Sequence, residues 1–172
     1  ENGNMTGRED HVANKDYIQG FDIENRLISV AVSSGTPMTT TFRYDAGGQR
    51  TKTINYDDSD TRTVTHYPFP NYEVEWAQDW QYSCNQDPCG YIWVTTQTTT
   101  RSTYFLAGQA MATRVNGTLY YLHGDHLGST SLMTNSSGTS VGNTTARYLP
   151  YGGHRTIPTA GLTEMGYTGH HE

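Results

Sequence analysis

The segment Phe21-Asp22-Ile23-Glu24-Asn25-Arg26-Leu27 returns 23 positions later as Tyr44-Asp45-Ala46-Gly47-Gly48-Gln49-Arg50. Recurrence at that spacing limits the chain to architectures built by stacking one supersecondary unit, each copy covering the next. The opening Glu1-Asn2-Gly3-Asn4-Met5-Thr6 fits the tail of an earlier copy, so the chain is expected to begin inside an array. A unit of about 22 residues holds two strands of roughly eight residues and their turns, which is one β-hairpin per repeat added to a twisted antiparallel sheet. Within the unit, the short carboxylates of Asp22 and Asp45 suit a turn, because they accept backbone N–H bonds two residues on. Asn25 and Gly48 then supply the positive φ that the turn needs. Phe21, Tyr44 and Leu27 are expected on the buried face, and Arg26 and Arg50 complete the frame without any catalytic role.

Elsewhere the chain repeats the same β-rich pattern. Alternation of apolar and polar residues runs over Thr61 to Tyr67, Tyr72 to Trp76, Tyr91 to Thr95 and Leu119 to Leu122. Turn pairs such as Asn2-Gly3, Asn116-Gly117 and Ser137-Gly138 separate the runs. No window has helical apolar spacing, and 13 Tyr with 18 Gly among 172 residues fit strands and turns. The predicted fold class is all-β, an antiparallel β-hairpin repeat array.

These residues resemble the YD-repeat or rearrangement-hotspot (Rhs) family. The stretch Tyr120-Tyr121-Leu122-His123-Gly124-Asp125-His126-Leu127-Gly128-Ser129-Thr130 resembles that family's core entry motif. It continues with a turn at Asn135-Ser136-Ser137-Gly138, then Arg147-Tyr148-Leu149-Pro150-Tyr151-Gly152, then Gly166-Tyr167-Thr168-Gly169-His170. The family's core end would follow, and the sequence is expected to stop short of it. The resemblance implies a secreted or surface-exposed protein whose repeats coil into a sheet spiral, a solenoid-like hollow shell that in many members encloses a C-terminal toxin. It divides the chain into YD-type hairpins over 1–67, an enlarged aromatic hairpin arm over 68–105, and core-like repeats over 106–172. Asp87-Pro88-Cys89-Gly90 shares the residue order of the family's self-cleaving motif but lies upstream of the core entry, which is the wrong place for cleavage.

A net charge of −6, with 11 Lys and Arg spread thinly, excludes the basic footprint of a nucleic-acid binder. No run of 18 apolar residues marks a membrane-spanning helix. Cys84 and Cys89 bracket Asn85-Gln86-Asp87-Pro88, a turn-forming tetrapeptide, and a small-loop disulfide there implies an oxidising compartment. A metal site is the alternative, although two Cys make half a zinc site. In the arm, Trp76, Trp80, Tyr82, Tyr91 and Trp93 read as cross-strand packing, with a carbohydrate or partner contact as the alternative. Sequons at Asn4, Asn116, Asn135 and Asn143 are candidate glycosylation positions.

One cluster invites an enzymatic reading. His123, Asp125 and His126 could start a metal site for a hydrolase if His154, His170 or His171 joined them. The resemblance explains Gly124, Asp125, His126, Leu127, Gly128 and Ser129 as a turn instead, so no cofactor and no enzymatic activity are expected.

Size constrains the role. About sixteen strands at about 4.8 Å spacing and about 27 Å length make on the order of 2,000 Å² of sheet, whereas enclosing a 100-residue domain needs on the order of 5,000 Å². The chain is therefore expected to be one piece of a larger shell. A hairpin array is also expected to leave an unpaired strand at each end. Copies pairing head to tail through those ends would form an extracellular filament or adhesion subunit, the alternative to the shell.

Overall fold

The computed structural model describes residues 3–11, 14–32, 38–57, 59–85, 88–150, 152–163 and 165–169. Eleven strands form one sheet in which each strand neighbours the next in sequence. They are β1 (Gly7–Asp10), β2 (Lys15–Phe21), β3 (Leu27–Val32), β4 (Met38–Tyr44), β5 (Arg50–Tyr56), β6 (Thr61–Phe69), β7 (Tyr72–Ser83), β8 (Gly90–Leu106), β9 (Gln109–Val115), β10 (Thr118–Gly124) and β11 (Thr130–Asn135). β12 (Arg147–Tyr148) and β13 (His154–Thr156) pair separately, and Tyr167–Gly169 makes one 3-10 turn. The all-β hairpin array read from the alternation is the observed architecture. Among the described residues there is no α-helix.

One turn recurs along the chain, and it defines the repeat in physical terms. After Phe21, Asp22 N–H donates to the Arg26 carbonyl and Asn25 N–H to the Asp22 carbonyl. The same pair of bonds follows Tyr44, from Asp45 and Gly48, and follows Gly124, from Asp125 and Gly128. It follows Thr134, from Asn135 and Gly138, and follows Tyr148, from Leu149 and Gly152. In all five the residue before the turn pairs across a bulge or bridge with the residue six further on: Phe21 with Leu27, Tyr44 with Arg50, Gly124 with Thr130, Thr134 with Ser140, Tyr148 with His154. The fourth turn residue lies at φ between 61° and 87° each time, Asn25 in the first copy and Gly in the rest, a region that β-carbon sterics close to most residues.

The carboxylate or amide completes the turn. Asp45 Oδ1 accepts the N–H groups of Gly47 at 2.8 Å and Gln49 at 2.9 Å. Asp22 does so for Glu24 and Arg26, Asp125 for Leu127 and Ser129, and Asn135 for Ser137 and Thr139. An oxygen that takes two N–H bonds inside its own loop satisfies donors that a tight turn would otherwise strand. N–H donation by Arg26 holds the Asp22 carboxyl below the usual carboxylate range, against a smaller opposing effect of burial. At Asp125 burial pushes upward, and the combined N–H donation by Ser129 and Leu127 outweighs it, so that carboxyl also lies low.

Successive turns are tied together. Tyr44 donates its hydroxyl to the Leu27 carbonyl at 2.7 Å, and the Arg26 guanidinium, paired with Asp22 at 2.7 Å, reaches the Asp45 carbonyl at 3.3 Å. The aromatic, the Asp and the Arg of these two copies thus hold one another in register.

The strands fall into two compact units, one running through Pro68 and resuming over Val74–Thr98, the other taking Phe69–Glu73 and the chain from Thr99 onward. In the first, Val64 is buried together with Thr53 and Thr65. In the second, Ala112, Val115, Leu122, Met133, Ala146 and Met165 are buried with Thr113, Ser129 and Thr144.

Candidate functional site: sheet edges and an aromatic ribbon

The two ends of the sheet differ. β1 is a terminal strand, and among the described residues nothing pairs with its outer edge. The Gln19 N–H to Thr6 carbonyl bond and the pairing of Arg8 with Tyr17 fix its phase. In an antiparallel ladder alternate residues face away from the partner, so Gly7 and Glu9 present their backbone groups outward.

β11, at the other end, is covered, and here the structure departs from the expectation of an open strand at each end. Val141 N–H donates to the Met133 carbonyl, Ala146 N–H to the Ser131 carbonyl, and Thr130 N–H to the Gly166 carbonyl. Thr144 Oγ1 accepts from Met133 N–H, Tyr148 donates its hydroxyl to the Thr130 carbonyl, and Thr168 N–H reaches Ser129 Oγ. Val141, Thr144, Ala146, Tyr148, Gly166 and Thr168 therefore satisfy the edge that a terminal strand would leave to solvent. Met133, Thr144, Tyr148 and Met165 line a cavity of about 180 Å³ under this cap.

The cap is anchored by a pair that strand alternation does not reveal. Arg101 Nη1 lies 3.1 Å from Glu73 Oε1, and both side chains are 7% exposed. The same guanidinium donates through Nη2 to the Gly161 carbonyl at 3.0 Å. A buried guanidinium needs such partners, since an unpaired charge there is costly.

The third feature lies in the first unit. Trp80 N–H bonds to the carbonyl of Asp60, the residue before β6, and β9 pairs with β8 over Arg101–Leu106. Among the described residues the outer part of the β7–β8 hairpin is thus a two-stranded ribbon. Near its tip Cys84 and Cys89 form a disulfide, the pairing read from the sequence. Down one face of the ribbon run Tyr82 against Tyr91 at 5.4 Å, Trp80 against Tyr91 at 6.1 Å and Trp80 against Trp93 at 5.0 Å. The Arg62 guanidinium sits 4.2 Å from the Trp93 ring centre. Arg62 Nε donates to Gln78 Oε1 at 2.7 Å, and Gln78 Nε2 to Thr95 Oγ1 at 3.0 Å, forming a polar row beside the rings. Trp76 leaves this row and packs on His66.

The remaining sequence candidates are placed as follows. His123 Nε2 shares a hydrogen bond with Thr134 Oγ1 at 2.9 Å, while exposed Asp125 and His126 belong to the recurring turn. His154 packs on Tyr148. His170 and His171 lie outside the described residues, among which no group of three His, Cys, Asp or Glu gathers as metal ligands do. Of the sequons, Asn4 donates its amide to Asn25, Asn116 Oδ1 accepts the Thr100 N–H of β8, Asn135 Oδ1 holds its own turn, and Asn143 sits at φ 60° with its carbonyl accepting from Thr159. No helix is long and apolar enough to cross a membrane, a statement that does not bear on β-barrels. The Asp87 of the Asp-Pro order also lies outside the described residues.

With this geometry in place, the fold is recognisable as an Rhs-like all-β sheet. The chain is similar to one in the Photorhabdus luminescens Tc holotoxin pore, with TM-score 0.69 and 21% identity over 90% of this chain. It is similar also to the TcdB2-TccC3-Cdc42 structure, with TM-score 0.66 and 17% identity, and to TcdB2-TccC3, with TM-score 0.65 and 20% identity, each over 90% of this chain. These toxin chains contain Rhs/YD-repeat shells. The present chain spans 8% of the length of each. No family model and no curated protein match it.

Proposed function

We propose that this chain is a non-enzymatic structural segment of a secreted or cell-surface YD-repeat protein, contributing a capped stretch of sheet to a larger shell. The observation that carries the reading is the likeness over 90% of the chain to a small part of much larger shell-containing toxin chains. The open outer edge of β1 supports it, because a preceding hairpin of the same repeat would continue the sheet there. The Cys84–Cys89 disulfide supports an oxidising, extracellular setting. The shell's interior cargo in this reading is a C-terminal toxin domain.

The filament alternative needs two edges that pair head to tail. With β11 covered, the end of the eleven-stranded sheet left open among the described residues is β1, and pairing of β1 with β1 is two-fold and closes at a dimer. Negative-stain electron microscopy and intact mass of material from the native source test the choice. Closed hollow particles built from a polypeptide far larger than 19.2 kDa are expected. Regular polymers of a chain near 19.2 kDa would overturn the shell reading.

A further inference from the structure

We infer that the cavity between β11 and its cap is a binding site for small, uncharged aromatic molecules. Protein interiors hold few voids larger than one water molecule, whose share of the liquid is about 30 Å³. This cavity measures about 180 Å³, room for several waters or for one compact organic molecule. Met133 of β11 forms its wall together with Ala146, Tyr148, Pro158, Leu162 and Met165 of the covering segment. Met133, Ala146 and Met165 are each at most 4% exposed, so the space reaches into the core of this unit. An unfilled void lowers stability in proportion to its volume, and an occupant removes that loss.

The chemistry of the wall selects the ligand. Among the described residues that line the cavity none is charged, so nothing there offsets the desolvation of an ionic group. Three wall hydroxyls are spent within the protein: Thr144 Oγ1 accepts from Met133 N–H and donates to the Val141 carbonyl, Tyr148 donates to the Thr130 carbonyl, and Thr163 Oγ1 accepts from Met165 N–H. Arg101 takes the Gly161 carbonyl. A buried water makes about three hydrogen bonds, and this wall has few groups left to supply them. An apolar cavity of about 150 Å³ stays dry and admits benzene, which brings ligands from benzene to indole within the size that fits here. Two thioethers, Met133 from the strand and Met165 from the cap, favour an aromatic occupant, since sulfur makes favourable contacts at ring edges. A peptide or an oligosaccharide exceeds the volume, and its polar groups would go unpaired. The outer wall runs through residues 158–163, which belong to no strand or helix, so a ligand can enter without breaking the sheet. Held there, it touches β11 on one side and the cap on the other, and fastens them together.

The test is nuclear magnetic resonance of the full chain, isotope-labelled at its methionine methyl groups and titrated with benzene, toluene and indole. The five methionines include their own controls: Met133 and Met165 line the cavity, whereas Met5, Met38 and Met111 are 58%, 43% and 44% exposed. Ring-current shifts should grow and saturate at Met133 and Met165 for at least one of the three ligands, and benzoate, a charged analogue, should produce none there. Ala146→Leu adds three carbons to the wall and should weaken binding by about tenfold, close to 1.4 kcal/mol. Far-UV circular dichroism establishes that the variant is folded; should it not be, Ala160→Leu fills the same space from the loop side. Absence of a saturable shift at Met133 and Met165 with all three ligands would overturn the assignment. So would shifts of equal size at all five methionines, which mark partitioning onto the surface, benzoate binding as tight as toluene binding, or full affinity in a folded cavity-filling variant.

Discussion

Removing the Glu73 carboxylate takes the counter-charge from a buried guanidinium, and the structure sets the size of the effect. Glu73 and Arg101 are each 7% exposed and 3.1 Å apart, so solvent cannot take over the missing partner without opening the packing around it. Breaking a buried pair from one side costs about 3–5 kcal/mol, most of it the penalty of the stranded charge. For a chain of this size each kcal/mol corresponds to about 2–4 °C, so Glu73→Ala should lower the melting temperature by roughly 6–20 °C. Replacing both partners, Glu73→Met with Arg101→Met, removes the charge along with its counter-charge and should recover most of that loss. Thermal unfolding by circular dichroism on the single and double variants reads both numbers. A Glu73→Ala melting point within about 2 °C of the parent would refute the argument, since a pair that dispensable is effectively solvated. A double variant as unstable as the single would show that the Arg101 bond to the Gly161 carbonyl, and not the pair, is the anchor.

Asp45→Ala should destabilise by about 1 kcal/mol, because two loop N–H groups lose one acceptor that water only partly replaces, and chemical denaturation measures it. Gly48→Val, at φ 79°, should cost about 1–3 kcal/mol by the same assay, since a β-branched residue is forced into a left-handed conformation. The low carboxyls of Asp22 and Asp125 stabilise the fold above their unfolded-state value near 3.9, and that contribution disappears as pH falls through their folded-state values. Asp125→Asn, which copies the amide that performs this task at residue 135, should keep the turn and flatten that part of the pH–melting curve. Replacing Cys84 and Cys89 by Ser should raise amide exchange over residues 80–93 with little change elsewhere, the closed loop being worth about 2 kcal/mol to the ribbon alone.

Much of this architecture is local in origin and so can be read along the chain. Asp22, Asp45 and Asp125 each bond to residues two and four ahead, and the bulge pairs positions six apart, so short motifs carry the turns. Adjacent strands pair with adjacent strands, which made alternation a sufficient guide to the fold. Two features escape that logic. In Tyr72-Glu73-Val74-Glu75-Trp76 alternation treats the glutamates as the wet face, but Glu73 is buried because Arg101, 28 positions away, neutralises it. The closing of β11 depends on Val141, Thr144, Ala146, Tyr148, Gly166 and Thr168, scattered positions with no strand period that bond through backbone and side-chain groups alike. The likeness of Leu149-Pro150-Tyr151-Gly152 to the Asp-containing turns was also hidden, since the backbone bonds persist there without the Asx side chain.

The unequal ends of the sheet give the molecule a direction in time. A chain made from its N-terminus lays down hairpins one after another, and every new hairpin ends by offering a fresh row of amides and carbonyls to whatever strand is nearby. The next hairpin answers that offer within the same molecule until β11, after which the stretch that includes Thr144, Ala146 and Gly166 arrives and ends the templating. The cap works as a stop codon written in hydrogen bonds. A nascent chain released before Ser140 would keep β11 adhesive and would be captured by its neighbours.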